Sequence, residues 1–247
     1  MTRPVFVADP QTMGYATVGS TVELTGPEGR HAAAVRRIGA GESVDLVDGQ
    51  GKRVTAYVLG SDRAGLTLRV DEVTEEPAPS PRLVLVQALA KGDRDDQAIE
   101  AATELGVDVV VPWQAQRSIV QWRGERGRKA HGKWVDAVTA AGKQSRRARF
   151  PEVEPLVDLN GLVQRAAGGA ATFVLHEEAT DPLAGADLPA DGDVLLVVGP
   201  EGGITPDELA ALTDAGAQVV RLGHTVLRSS SAGPAAIAVL SASGRWR

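Results

Sequence analysis

The chain is 247 residues long, 43% hydrophobic but only 4% aromatic, with a net charge of −6 and no cysteine. That composition suits a globular protein whose core is built from Val, Leu and Ala; it excludes disulfides and thiolate metal sites, and the 4 scattered histidines lack zinc spacing, so a metal-free site is expected. No apolar run approaches the roughly 18 residues of a membrane span, and the N-terminus has no charged-then-apolar signal pattern, so a cytoplasmic protein is expected.

Short alternating runs at residues 5–8, 21–24, 43–47, 53–59 and 66–73 predict strands, with the turn Asp48-Gly49-Gln50-Gly51 between two of them. One short helix is expected over 28–37. The series predicts a small antiparallel barrel covering residues 1–73. Residues 74–81 read as a linker, because Pro77, Pro79 and Pro81 deny ladder hydrogen bonds and favour extended chain. In residues 82–247, strands at 83–89, 107–111 and 172–176 alternate with helices over 93–105 and 129–144. Such alternation implies a mostly parallel sheet with helices on both faces.

Residues 194–232 are the most informative. The run Val194-Leu195-Leu196-Val197-Val198 suits a strand buried on both faces, and it breaks into the loop Gly199-Pro200-Glu201-Gly202-Gly203. Thr205 fits an N-cap, Pro206 the first helical position and Glu208 the third position of a capping box, while Gly216 supplies the stop. A second strand, 218–222, ends in Gly223-His224-Thr225-Val226-Leu227-Arg228, and a last helix is expected from about Pro234 to Ser243. Two strand-end loops at the carboxyl edge of a sheet are where α/β proteins bind ligands. There is no GxxxxGK[ST] phosphate loop, and the loop after Val198 does not match GxGxxG, which argues against nucleotide hydrolysis and against an ordinary dinucleotide site.

GPEGG followed by an Ile-Thr-Pro-Asp-Glu helix start, then LGHTVLR and a small-residue segment, resembles the C-terminal domain of RsmE-type RNA methyltransferases of the SPOUT class. Lys91-Gly92-Asp93-Arg94 through Ala102-Thr103-Glu104-Leu105-Gly106, Arg117-Ser118 and Lys143-Gln144-Ser145 match the same family, so the resemblance spans nearly the whole chain. It implies an α/β fold: an N-terminal PUA-like β-barrel that binds RNA, followed by a SPOUT domain with a C-terminal trefoil knot. The implied activity is S-adenosylmethionine-dependent methylation of N3 of a uridine in 16S ribosomal RNA, free or in the small ribosomal subunit. By resemblance the loops 199–203 and 222–227 hold the cofactor. The candidate contacts there are Gly199, Pro200, Glu201, Gly202, Gly203, Leu222, Gly223, Val226 and Leu227, joined by Leu175 and His176 at another strand end. His176 equally suits a hydrogen-bonded structural role, and Glu201 a bond to loop backbone. Arg228 is the candidate catalytic side chain, stabilising negative charge on the uracil oxygens, with a structural salt bridge as its alternative.

Charge distribution bears on the RNA partner. Between Arg117 and Phe150 lie ten basic and two acidic residues, which leaves about −14 for the rest of the chain. Clustered Arg and Lys suit phosphate contacts, and Trp122 and Trp134 inside the cluster are either stacking platforms or core. The RNA-binding candidates are Arg36, Arg37, Arg94, Arg117, Lys143, Arg146 and Arg147; Arg37 is the better positional match to a characteristic family arginine. SPOUT domains work as dimers, so a homodimer is expected, with the apolar helix carrying Ile237 and Leu240 at its interface. The chain departs from the family at Ser230, where a glutamate is usual, and at Thr225, where a basic residue is common. The proton acceptor therefore does not carry over. Alternatives are a SPOUT enzyme acting on another RNA site such as a ribose 2′-oxygen, or a catalytically silent RNA-binding assembly factor.

Overall fold

A computed structural model describes residues 3–246. The chain forms two compact units, one comprising residues up to Ala78 together with Gly142–Phe150, the other Pro79–Ala141 with Pro151 onward.

The first unit contains β1 (Val5–Val7), α1 (Pro10–Tyr15), β2 (Thr21–Leu24), α2 (Gly26–Arg30), a π-helical turn over His31–Val35, β3 (Ser43–Val47), β4 (Lys52–Ser61) and β5 (Leu66–Glu75). Its strands pair in the order β1-β3-β4-β5-β2. They alternate inward Val22 and Leu24, Val54, Ala56 and Val58, Leu66 and Leu68 around one apolar core. The expectation of an all-antiparallel sheet needs correction: β1 runs parallel to β3. The chain between them, carrying α1, β2 and α2, is long enough for the crossover that a parallel pair requires. α1 was not expected. It is only six residues long, set by Asp9, whose side chain accepts from Gln11 and Thr12 N–H, and by Pro10 at its start.

The boundary also moves. β5 continues through Glu75, and Glu76 N–H still bonds Gly51 O, so the chain leaves this unit after the strand and not at residue 74. Residues 142–150, expected in the second domain, belong here. Ala148 is fully buried against Val5 and Val47, Phe150 N–H donates to Gly49 O, and Gly51 N–H to Ala148 O.

The second unit runs β6 (Arg82–Ala88), α3 (Arg94–Glu104), β7 (Val109–Trp113), α4 (Gly124–Gln144, in this unit to Ala141), β8 (Glu152–Val153), α5 (Leu159–Gly168), β9 (Ala171–Leu175), β10 (Asp181–Pro182), β11 (Asp193–Val198), α6 (Pro206–Asp214), β12 (Gln218–Arg221) and α7 (Ser229–Ser243). All its strand pairs are parallel, in the order β10-β12-β9-β11-β6-β7-β8. One face of the sheet, with Leu83, Leu85, Leu196 and Phe173, packs Trp134 of α4 and Ala236, Ile237 and Leu240 of α7. The other face, with Val84, Val86, Leu195 and Val197, packs Leu162 of α5 and Leu212 of α6. This is the parallel sheet with both faces covered that the continuous apolar strands demand.

Two helix starts contrast. α6 has the full capping box: the Thr205 side chain takes the Glu208 N–H and the Glu208 carboxylate takes the Thr205 N–H. α7 begins at Ser229 and not near Pro234, which lies buried inside the helix. The serine run and the extended Arg228 start the helix; Pro234 only removes one N–H from its second turn.

Candidate functional site

The carboxyl ends of β9, β11 and β12 open into a single cavity of about 960 Å³, in the range of small-molecule sites. Its wall is made by residues 175–178, 198–204 and 221–229, joined by Arg94, Arg117, Pro206, Leu209 and Ala232. All eleven cofactor candidates named above lie on this wall, and Arg228 with them. Sequence reading missed Glu178, Leu209 and Arg221, which also line it. Arg221 is the last residue of β12, and its place at a strand end was the available signal.

The glycine loop is held from two sides. Arg94 Nη1 donates to Glu201 Oε1 at 2.7 Å, and Lys91 N–H donates to the same oxygen at 3.1 Å. Burial alone would push the Glu201 carboxyl up, but backbone N–H donors of Glu201 and Lys91 and the Arg94 guanidinium outweigh it and hold the group below the usual carboxylate range. From the other side Arg117 Nη1 donates to Gly202 O at 2.8 Å. Arg117 is itself positioned because Gln116 N–H donates to Glu208 Oε1 at 2.7 Å, so the buried capping carboxylate of α6 also fixes the segment after β7.

The glycines are explained mainly by the chain's own packing. A Cβ on Gly199 would stand 2.7 Å from Ile204 Cγ1, and one on Gly202 would stand 3.1 Å from Arg117 Cβ. Gly203 has φ +74°, a left-handed conformation that other residues adopt at a cost.

The histidines differ. His176 Nδ1 accepts the Glu178 N–H at 3.2 Å, which ties the ring into its own turn. His224 is exposed on the loop that carries Arg228. Ser229 Oγ, on the same wall, is buried with no hydrogen-bond partner.

The structure divides the RNA candidates between the units. Arg94 and Arg117 stand on the cavity wall, whereas Arg36, Arg37, Lys143, Arg146 and Arg147 belong to the first unit. Arg36 and Arg37 are both exposed just beyond the π-helical turn, and among the described residues Arg37 and Arg146 are the non-glycine ones with positive φ, +54° and +59°. Lys143 is engaged by Glu28 at 2.6 Å, and Arg147 Nε donates to Arg149 O at 2.9 Å. Trp134 is core, with Trp122 packed edge-on against it at 5.0 Å, so no stacking role for Trp134 survives. Among the described residues no cluster of three or more metal-ligating side chains is placed to hold an ion, and no helix is long and apolar enough to cross a membrane.

Residues 76–241 match the RNA methyltransferase domain model and residues 24–71 the RNA methyltransferase PUA domain model. The ribosomal RNA small subunit methyltransferase E of Mycobacterium bovis is 46% identical over 92% of this chain and 89% of its own length. The protein of the same name in Bacillus subtilis is 28% identical over 90% of each chain. Among solved structures, a Legionella pneumophila methyltransferase in complex with S-adenosylmethionine superposes with a TM-score of 0.85 at 28% identity over 98% of both chains. The Neisseria gonorrhoeae methyltransferase E bound to S-adenosylmethionine does so with a TM-score of 0.84 at 28% identity, again over 98% of both. With both domain models matched in order, and nearly half the residues identical to a full-length relative, the chain belongs to the ribosomal RNA small subunit methyltransferase E family, RNA methyltransferases with a PUA domain ahead of the catalytic one.

Proposed function

We propose that this chain transfers a methyl group from S-adenosylmethionine to N3 of a uridine in 16S ribosomal RNA, acting in the cytoplasm as a homodimer. The observation that carries the reading is the cavity at the ends of β9, β11 and β12, built from the loops that the family resemblance assigns to the cofactor. Its lining suits that molecule. Leu175, Leu222, Val226 and Leu227 offer apolar surface, irregular loop backbone offers donors and acceptors, and the unpartnered Ser229 Oγ offers one more polar contact. The bound cofactor supplies an electrophilic methyl on a sulfonium. With it bound, Arg228 would stabilise charge developing on the uracil carbonyls, and the loops 199–203 and 222–227 would hold the methyl donor in place.

The first unit serves as the RNA-binding module, with Arg36, Arg37, Lys143, Arg146 and Arg147 following the phosphate backbone. A trefoil knot in the second unit is part of the same reading. It is supported by the placement of β11 between β9 and β6, and by the return of α7 onto β6 and β11 after the loop 222–228.

The test is mapping of methylated uridines in 16S ribosomal RNA from a deletion strain, with and without the restored gene. Loss of one N3-methyluridine, restored by the intact gene, is expected. Loss of a ribose 2′-O-methyl group instead would identify another reaction, and an unaltered modification map together with absent S-adenosylmethionine binding would identify a silent assembly factor.

A further inference from the structure

We infer that His224 is the proton acceptor for methyl transfer, taking the N3 proton of uracil as that nitrogen attacks the methyl donor; the assignment rests on the uridine-N3 reading above. A uracil nitrogen that keeps its proton has its lone pair spread into two flanking carbonyls, so a base must stand near it. The titratable groups on the cavity wall are His176, Glu177 and Glu178 after β9, Glu201 after β11, and His224 after β12. The cations facing them are Arg94, Arg117, Arg221 and Arg228.

Four of these five groups are disfavoured by what they already do or by where they stand. Glu201 is paired with Arg94 and held below the usual carboxylate range by bonds that outweigh its burial, which makes it a weak base. His176 accepts a backbone N–H at Nδ1, so its neutral ring already carries the proton on Nε2 and has no free acceptor. Glu208, in the first turn of α6 and off the wall, is buried with its carboxylate filled by Thr205 and Gln116. Glu177 and Glu178 are exposed on the turn after β9, away from the loop that carries Arg228 in sequence and on a different strand end.

His224 remains. It is exposed on the cavity wall, its ring is engaged by no side chain among the described residues, and it shares a loop with Arg228. Imidazole is the side chain whose proton affinity suits a base working near neutral pH. In the step, the N3–H bond breaks toward an imidazole nitrogen and the N3 electron pair forms the bond to the methyl carbon. The carbon–sulfur pair leaves on sulfur as a neutral thioether, and the imidazolium returns its proton to water. Arg228 balances the charge that reaches the carbonyl oxygens meanwhile. An imidazole here fills the role for which Ser230 supplies no carboxylate.

The experiment compares wild type with His224→Asn and His224→Gln on small-subunit substrate, following product as N3-methyluridine across pH. Expected are a kcat reduced by about 10²-fold, with little change in S-adenosylmethionine affinity by calorimetry, and loss of the rising limb of the wild-type pH profile. RNA carrying 5-fluorouridine, whose N3 proton is more acidic, should narrow the variants' deficit, which a merely structural histidine would not produce. Independently of turnover, carbon-labelled imidazole resonances of His224 should shift when RNA binds without methyl donor. N3-methyluridine formed with an unchanged pH profile in the Asn variant, or a limb removed instead by Glu177→Gln or Glu178→Gln, overturns the assignment alone. A methyl mapped to a ribose oxygen overturns the assignment together with the reading beneath it.

Discussion

Arg94 and Glu201, 107 positions apart, form a 2.7 Å ion pair that ties the start of α3 to the glycine loop leaving β11. Arg94 is half exposed, so the pair contributes only about 0.2–1 kcal/mol, and its effect is on loop position more than on fold. Glu201→Gln should therefore leave the melting temperature nearly unchanged while weakening S-adenosylmethionine binding a few-fold. The folded carboxyl sits below its ordinary value of 4.5, so its stabilisation is complete above that value and is lost only as pH falls through the lower folded one. Calorimetric affinity should thus show no dependence on this group from neutral pH down to about 5. Titration in that window abolished by Glu201→Gln would count against the clamp.

Asp95 behaves oppositely. It is buried at the start of α3, and burial first, then the neighbouring Asp96, pushes its carboxyl up from 3.8 to about 6. An acid whose folded value is raised costs stability when charged. Stability then declines as pH rises from 3.8 toward 6, and the full penalty is present above. Asp95→Asn should raise stability at pH 7.5 by about 1 kcal/mol and lose that advantage at pH 4, because the native carboxyl is then protonated. Thermal melts of both proteins at the two pH values check the sign; a gain that persists in acid would place the effect elsewhere.

Gly199 and Gly203 should respond differently to alanine. At Gly199 the new methyl meets the Ile204 side chain at 2.7 Å, so the loop must move. At Gly203 nothing nearer than Arg117 Nη1, 3.7 Å away, opposes it, and the cost is the left-handed φ of +74°, about 1 kcal/mol. Gly199→Ala should reduce S-adenosylmethionine affinity more than Gly203→Ala does, with both proteins folded by circular dichroism. Equal affinities would mean that Ile204 simply moves aside.

The parts legible from sequence are those in which one segment carries its own signal. β11, the loop after it and α6 were readable because an apolar run, three glycines and a capping box follow in order. The strand-end loops of β9 and β12 were readable for the same reason. What was illegible depends on distant partners. Nothing in Gly142–Phe150 announces that Ala148 fills a gap between Val5 and Val47, or that the carbonyls of Gly49 and Ala148 pair this segment with the first unit. The pairing of Glu201 with Arg94 and the parallel seating of β1 on β3 are likewise matters of topology. The start of α7 was misplaced because Pro234 was read as a first-turn proline when the serines ahead of it already begin the helix.

Arg146 occupies the left-handed position that ends α4, its N–H bonded to Lys143 O and its carbonyl accepting from Arg53. Glycine is the residue such a position favours. Arg146→Gly should stabilise the protein by up to about 1 kcal/mol and still weaken RNA binding, lowering the slope of log affinity against log salt by roughly 0.7–0.9 if Arg146 contacts one phosphate. Arg147 differs, since Arg149 O holds its guanidinium, so the double variant Arg146→Gly/Arg147→Ala should flatten the slope further at some cost in stability. An unaltered slope in the double variant would show that this segment is only solvated.

The proposed homodimer cannot be tested at the two residues expected at its interface. Ile237 and Leu240, the apolar residues chosen as interface positions, are 0% and 2% exposed within their own unit, packed on the sheet. A charge at either would unfold the unit and say nothing of assembly. What α7 leaves half exposed is Ala235, Ala238 and Val239, with Ala242 exposed, a stripe spaced three, four and seven residues along one face. Small residues let two such helices approach closely, and a two-fold axis would set the stripe against its own copy. Ala238→Asp and Val239→Asp should therefore sediment as folded monomers, with circular dichroism unchanged and methyl transfer strongly reduced, because the stripe begins one turn beyond the Arg228–Ala232 wall of the cavity. Ile237→Asp should instead lose cooperative melting. A wild-type protein that sediments as a monomer at micromolar concentration with full activity would remove the dimer from the mechanism and leave the alanine stripe as ordinary solvated surface.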